Sequence, residues 1–140
     1  MTKASEVPAA SAGDTVEVAL PIDDAAPGQA RQVVRATLTR WRLSSLIDSC
    51  ALAVSELVTN AVRHGRPPVG MLLRRRQRDL RLDVRDSDPQ TVSPLNGGDA
   101  SDADESGRGL NIVQAISDAS GSEHIPGDGK TVLASWHIKG

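Results

Sequence analysis

Residues 56–65, ELVTNAVRHG, place a carboxylate and a carboxamide inside an apolar run that ends at a glycine. Apolar residues recur there at intervals of three and four, which predicts one amphipathic helix. These residues are Ile47, Cys50, Ala51, Val54, Leu57, Val58, Ala61 and Val62. Ser44 or Ser45 is expected to cap the start of the helix. Gly65 and the two prolines that follow it should end the helix.

Glu56 and Asn60 lie one helical turn apart, so their side chains share a face that points away from the stripe through Val54 and Val58. Arg63 lies near the same face. A carboxylate can act as a general base toward a water or a hydroxyl group, and an asparagine oxygen suits magnesium. A solvated polar face that happens to carry Glu and Asn explains the same pattern. Taken alone, the pair leaves both interpretations open.

The pattern around this helix predicts a two-layer α/β sandwich. Residues 1–13 are rich in Ala, Ser and Pro and are expected to form a mobile tail before one domain, 14–140. The predicted order is strand, helix, helix, strand, strand, loop, helix, strand, strand. In the central hairpin, Leu80, Leu82 and Val84 alternate with charged residues. This alternation favours a mixed, mainly antiparallel sheet with helices on one face.

The composition excludes several classes of protein. The chain has 140 residues, 39% of them hydrophobic, so one aliphatic core is expected. The net charge of -2 gives no basic field for nucleic acid, and the basic run at 74–78 is the solvated end of a hairpin. The single Cys50 argues against a disulfide framework or a cysteine metal site. Neither a signal core nor a run of ~18 apolar residues is apparent, which favours a cytoplasmic protein without a membrane segment.

Two further motifs carry residues that suit a phosphorylated ligand. Asp86 ends a predicted strand, where its carboxylate can accept a hydrogen bond from an exocyclic amine such as that of adenine. Aspartate also commonly starts a turn at this position. Gly107 and Gly109 precede a helical stripe, where the backbone can approach a phosphate and Arg108 can add a cation. A flexible joint explains the two glycines equally well.

The polar segment 89–106 separates these two motifs. It contains two Pro and two Gly and becomes acidic toward its end. A loop of this length inside a compact domain is usually an active-site lid or is disordered. We expect a lid that orders when nucleotide and magnesium bind.

The order of these pieces resembles the GHKL ATPase superfamily, which includes histidine-kinase ATP domains, gyrase, Hsp90 and MutL and shares the Bergerat fold. The resemblance rests on ELVTNAVRHG, SGRGLNIV and GKTVLASW together and runs from about Val16 to Ile138. Within the superfamily the chain looks like the stand-alone anti-sigma-factor serine kinases and related ATP-binding regulators of actinomycetes.

The resemblance implies ATP and Mg²⁺ as cofactors and assigns a role to each motif. Glu56 would be the general base and Asn60 the magnesium ligand. Asp86 would hold the adenine amine, and Thr131 would lie beneath the adenine and support Asp86. The helix start would line the triphosphate. The full ATP-binding set implied is Asn60, Arg63, Asp86, Gly107, Arg108, Gly109, Leu110 and Thr131.

One motif departs from the family pattern. The first glycine box, Asp-x-Gly-x-Gly, reads Asp86-Ser87-Asp88-Pro89-Gln90 here, so both glycines are absent. Asp88 and Pro89 stiffen the backbone, and Asp88 adds negative charge near a polyanion. The departure predicts either weaker ATP affinity or a different movement of the lid, and it bears more on kinase activity than on nucleotide binding.

The resemblance implies an anti-sigma factor with serine/threonine kinase activity toward a small anti-sigma-factor antagonist. The expected partners are a sigma factor and that antagonist, with no direct contact to nucleic acid or membrane. The alternative is a non-catalytic regulatory module that binds nucleotide or sequesters a partner. A homodimer is compatible with either function.

Overall fold

The structure is a computed structural model that describes residues 13–87, 108–125 and 129–139. The elements run in the predicted order, and a one-turn 3₁₀ helix, Ser44–Leu46, comes before the second α-helix. Their bounds are β1 Gly13–Leu20, α1 Ala26–Arg40, α2 Ile47–His64, β2 Val69–Arg76, β3 Asp79–Asp86, α3 Arg108–Ile116, β4 Ala119–Ile125 and β5 Gly129–His137.

The five strands form one sheet in the order β1-β2-β3-β5-β4. Every pairing among the described strands is antiparallel, so the parallel pair that a mixed sheet would contain is not found in this part of the chain. Leu82 lies opposite both Leu73 and Ala134, which places a row of buried residues on one face. The helices cover this face, and the predicted two-layer α/β fold is confirmed.

The core between the layers is mostly aliphatic, and because the chain lacks Phe and Tyr its aromatic members are Trp41 and Trp136. The segment Ser44–His64 is long and apolar enough, on length and composition alone, to cross a membrane. Val54 and Val58 of this segment are fully buried against the rest of the core. The apolar stripe of α2 therefore serves as the central packing face of the domain.

The predicted serine cap of α2 is wrong. The residue at the cap position is Leu46, and no side chain caps the helix. The backbone amide of Leu46 donates instead to the carbonyl of Leu43 at 3.0 Å. Ser44 and Ser45 lie in the 3₁₀ helix that comes before α2, and both are exposed. They therefore precede the cap position and do not cap α2. The predicted stop at Gly65 is confirmed, since its amide donates to Ala61 at 2.8 Å and its backbone is extended.

Hydrogen bonds from β5 and its neighbours hold the end of α3. The indole Nε1 of Trp136 donates to the carbonyl of Ile116 at 2.8 Å. The Asp118 amide donates to the Ser135 carbonyl at 2.9 Å, and the Asp118 carboxylate accepts from the His137 amide. Val113 is buried beneath the helix. These contacts fix α3 over the β5 edge of the sheet.

Three features predicted from the sequence lie outside the described residues. They are the lid at 89–106, the helix-opening Gly107 and all but the last residue of the tail. Gly13, the final residue of the predicted tail, is the first residue of β1.

Candidate functional site

The end of β3 lies directly against the end of α2. The amide of Ser87 donates to the carbonyl of Arg66 at 2.9 Å, and the Ser87 hydroxyl donates to the carbonyls of Arg66 and Pro67. The Arg66 amide points at Oδ1 of Asp86 from 3.5 Å. Asp86 itself is only 4% exposed. The structure therefore buries the predicted adenine-binding carboxylate where helix and sheet meet.

Gly65 makes this junction geometrically feasible. A Cβ atom on Gly65 would lie 2.6 Å from both Cγ and Oδ2 of Asp86 and 2.7 Å from the carbonyl oxygen of Ala61. Any larger residue would have to displace the carboxylate or the helix end. The sequence predicted only that Gly65 stops the helix; the second role comes from contact with a distant strand, which no local pattern encodes.

Gly129 allows a comparable approach from the other side. Its φ is +92°, and a Cβ atom there would lie 2.1 Å from the backbone oxygen of Asp86. The next residue, Lys130, is directly opposite Asp86 in the sheet. Its Nζ lies 3.9 Å from Oδ2 of Asp86, and its side chain is only 11% exposed. The predicted site residues did not include Lys130.

The register separates Thr131 from Asp86. Thr131 is buried and lies opposite Arg85, whereas Lys130 is opposite Asp86. Residues directly opposite in a sheet share a face and successive residues alternate between faces. Lys130, rather than Thr131, therefore shares the helix-covered face with Asp86. Lys130 and Thr131 are neighbours in the GKT motif of the sequence. Only the strand register shows that Lys130 is the one opposite Asp86.

Glu56 and Asn60 are half-buried on α2. Arg31 on α1 donates to the hydroxyl of Ser55 at 2.9 Å, which identifies the side of α2 that faces α1. At about 100° per residue, Glu56 lies about 100° and Asn60 about 140° around the helix from Ser55. The pair therefore lies to one side of the α1 contact and not on it. Arg63 is exposed in the last turn of α2.

Asn60 and Glu56 lie at increasing distances along α2 from the end of the helix that packs on Asp86. With a rise of about 1.5 Å per residue, Asn60 lies about 7.5 Å and Glu56 about 13.5 Å before Gly65, which packs on Asp86. This spacing suits an elongated ligand held at one end by the buried carboxylate. Leu110 is buried in α3, and Arg108 and Gly109 form its first turn.

The described residues contain no cluster of three or more His, Cys, Asp or Glu side chains that could hold a metal ion. Zinc-type coordination therefore has no support in this part of the chain. Magnesium differs, because it is commonly bound through one or two protein oxygens together with substrate phosphates and water. The carboxamide oxygen of Asn60 on α2 is a donor of that kind.

Comparison with known proteins agrees with this geometry. No curated protein sequence matches the chain. The crystal structure of the RsbU and RsbW domains of Rv1364c from Mycobacterium tuberculosis is similar, with a TM-score of 0.62 and 19% identity over 87% of this chain. The matched region is 31% of that longer chain, and at 19% identity the likeness concerns the fold alone. The family model described as the histidine kinase-like ATPase domain matches residues 20–136. Since this match takes in all three helices and the four strands β2 to β5, and leaves out only β1 before Leu20 and the last residue of β5, the chain belongs to the histidine kinase-like ATPase domain family.

Proposed function

We propose that the protein binds ATP and phosphorylates a serine or threonine of an anti-sigma-factor antagonist, acting in the cytoplasm as an anti-sigma factor. Membership of an ATPase domain family implies ATP binding. The fold shared with a structure that contains an RsbW domain supports the anti-sigma branch suggested by the sequence motifs. The observation that carries the proposal is the buried Asp86 at the junction of α2, β3 and β5.

Each described side chain has a distinct proposed task. Asp86 accepts a hydrogen bond from the exocyclic amine of adenine, which fixes one end of the nucleotide. A carboxylate has about four lone-pair sites, so it can accept from several donors at once beside its ion pair with Lys130. Asn60 supplies an oxygen for magnesium, which screens the phosphate charge when bound. Arg108, Gly109 and Leu110 present the start of α3, where a helix N-terminus favours phosphate.

Glu56 is the proposed general base. It would accept the proton of the partner's hydroxyl group while that oxygen bonds to the γ-phosphorus of ATP and ADP departs with the cleaved bond's electron pair. It is half-buried and lies to one side of the α1 contact at Ser55, which leaves part of the side chain accessible to a second protein. General-base catalysis of this kind typically contributes roughly 10²–10⁴-fold to the rate.

The alternative function is a non-catalytic module that binds nucleotide and sequesters its partner. The specific observation in its favour is the replacement of both glycines of the first glycine box, at Asp88 and Gln90. This segment carries the chain out of β3 immediately after Asp86 and Ser87. A charged residue there works against a bound polyanion without removing the carboxylate.

Incubation with γ-labelled ATP, magnesium and candidate antagonist proteins tests the proposal. We expect label to move to a serine or threonine of one antagonist, and Glu56→Gln to slow the transfer by ~10²–10⁴-fold with ADP affinity unchanged. Glu17→Gln, on an exposed position of β1, is the matched control and should behave as the wild type. ATP binding without transfer to any antagonist would favour the non-catalytic module. A wild-type protein that binds no adenine nucleotide would overturn both functions.

A further inference from the structure

The outer surface of α2 carries one exposed apolar side chain among polar ones. At about 100° per residue, five side chains project within about 80° of one another on this surface. They form the outer ridge of α2 and are Asp48, Leu52, Glu56, Thr59 and Arg63. Leu52 is 42% exposed, whereas every other apolar residue of the helix is buried or half-buried. Leu52 therefore lies on the same ridge as Glu56, the proposed general base, and one helical turn before it.

Two contacts with α1 bound this part of the ridge without covering Leu52. Arg31 donates to the Ser55 hydroxyl at 2.9 Å, and Nη1 of Arg35 lies 4.0 Å from Oδ1 of Asp48. Ser55 and Asp48 lie about 60° and 40° around the helix from Leu52, both toward α1. Polar contacts therefore join the two helices on that side, and Leu52 remains on an open surface that continues to Glu56.

The position of Leu52 distinguishes it from an ordinary exposed apolar residue. Single apolar side chains are common on protein surfaces, so exposure alone assigns no role. Among the residues that the structure describes, the exposed large apolar side chains are Ile22, Leu52 and Ile112. Only Leu52 lies on the helix that carries Glu56. A protein that brings a hydroxyl group to Glu56 must also approach the surface one helical turn away, where covering a leucine removes apolar area from water.

We propose that Leu52 determines specificity for the protein acceptor by packing against an aliphatic side chain close to the acceptor serine or threonine. This inference rests on the proposed kinase function and adds a requirement on the acceptor segment. Leu52 and Glu56, four residues apart on a helix, are separated by about 5–6 Å between their Cβ atoms. Alternate residues of an extended segment are about 6.6 Å apart, and residues three or four apart on a helix about 5–6 Å. The aliphatic residue is therefore expected two positions from the acceptor in an extended segment, and three or four positions from it in a helical one.

Steady-state phosphotransfer to the antagonist that accepts label provides the first test. Leu52→Gln should raise the KM for that antagonist about 3- to 10-fold and leave kcat and the KM for ATP unchanged, because the lost contact involves only the acceptor. Leu52→Met keeps a similar apolar volume and should retain the wild-type KM within about 2-fold. Ile22→Gln is the matched control, since it removes an equally exposed apolar side chain between β1 and α1. An unchanged KM in Leu52→Gln, or an equal rise in Ile22→Gln, would overturn the role of Leu52.

Substitution in the acceptor provides the second test. Mass spectrometry locates the phosphorylated serine or threonine, and each aliphatic residue within four positions of it is replaced by alanine. One of these substitutions should raise the KM measured with the wild-type kinase and have no further effect with Leu52→Gln, because both changes remove the same contact. An acceptor with no aliphatic residue in this range, or additive effects at every position, would overturn the proposal.

The outcomes separate this inference from the function on which it rests. Phosphotransfer that is insensitive to Leu52→Gln would leave the kinase function intact and overturn only the acceptor contact. A wild-type protein that transfers phosphate to no antagonist would overturn both. Circular dichroism checks that Leu52→Gln is folded; if it is not, the acceptor substitutions decide the question with the wild-type kinase, and no rise in KM for any of them would overturn the proposal.

Discussion

Asp86 combines a structural contact with its proposed contact to adenine. Its position at a strand end predicts that Asp86→Asn weakens nucleotide binding and spares the fold. The structure shows instead a carboxylate that is 4% exposed and paired with Lys130. Removing the charge from one member of a buried pair leaves the other poorly compensated. The substitution is therefore expected to affect stability as well as binding.

Asp86→Asn should reduce ADP affinity by ~1–3 kcal/mol and lower the free energy of unfolding by a similar amount. Calorimetry and urea unfolding measure the two quantities separately. The double variant Asp86→Asn, Lys130→Met removes both charges and should recover most of the stability without recovering ADP affinity. A double variant that is no more stable than either single variant would show that the pair does not act as a unit.

At the scale of single residues, the sequence pointed to some members of the candidate site and not to others. Glu56, Asn60 and Asp86 could be chosen as candidates because each lies in a short motif with a recognisable local setting. Lys130 and Gly65 could not, because their importance comes from contact with Asp86 across the fold. Thr131 lies on the opposite face of the sheet from Asp86, because one residue of strand register decides which side chain points toward the helices.

At the scale of the elements, the junction between α2 and β3 is the place where substitution should disturb the geometry most. Gly65→Ala would place a methyl group 2.6 Å from the Asp86 carboxylate. We expect a loss of about 1–3 kcal/mol in the free energy of unfolding, with weaker ADP binding, since the carboxylate must move. Gly121→Ala is the matched control, because nothing lies within 4 Å of its Cβ position. Equal effects of the two substitutions on ADP binding would contradict a specific role for the junction.

The polar face of α2 should separate catalysis from binding. Glu56→Ala is expected to slow phosphotransfer by roughly 10²–10⁴-fold with nearly unchanged nucleotide affinity. Asn60→Ala should lower both the rate and the magnesium-dependent part of that affinity, because it removes a metal ligand. Titrations of each variant with ADP, with and without magnesium, distinguish the two roles. Matching losses of affinity in both variants would mean that the roles are misassigned.

The elements themselves followed from periodicity. The stripe of α2 and the alternation in β3 are strong local signals, and both elements formed where predicted. The start of α2 was misjudged because a 3₁₀ turn, rather than a serine side chain, leads into the helix. Such a turn depends on how α1 packs against α2, which the local sequence does not specify.

At the scale of the whole molecule, the buried Cys50 makes the free energy of unfolding depend on pH in the alkaline range. Burial raises the pKa of its thiol from 9.0 to about 12. Between these two values the unfolded chain loses the thiol proton while the folded protein keeps it. The stabilising contribution is therefore complete below pH 9 and is lost as the pH rises toward 12.

Urea unfolding at a series of pH values tests this linkage. The free energy of unfolding of the wild type should fall above pH 9, with a contribution from Cys50 of up to about 1.4 kcal/mol per pH unit. Cys50→Ala should show a shallower decline, whatever its stability at neutral pH. The chain has no Tyr, so no phenol titrates in the same range. Identical slopes in the two proteins would contradict the buried, protonated thiol.

The global arrangement was only partly predictable. The order of the elements and the single helical layer followed from alternating faces, but the strand order did not. Placing β5 between β3 and β4 requires a pairing between segments far apart in sequence. That pairing brings Lys130 to Asp86, so the least predictable feature of the sheet also determines the composition of the candidate site.

The hydrogen bond from Trp136 to the end of α3 makes this protein suited to fluorescence spectroscopy. Trp41 and Trp136 are its only aromatic residues apart from the histidines, so all near-ultraviolet emission arises from two indoles. Trp41 lies beneath the guanidinium of Arg75, 5.5 Å from its ring centre. Replacing Trp41 by Phe would leave Trp136 as a single buried emitter, bonded to the last turn of the helix that begins at the proposed phosphate site. A shift in its emission maximum on nucleotide addition would then report the displacement of α3 without any attached dye.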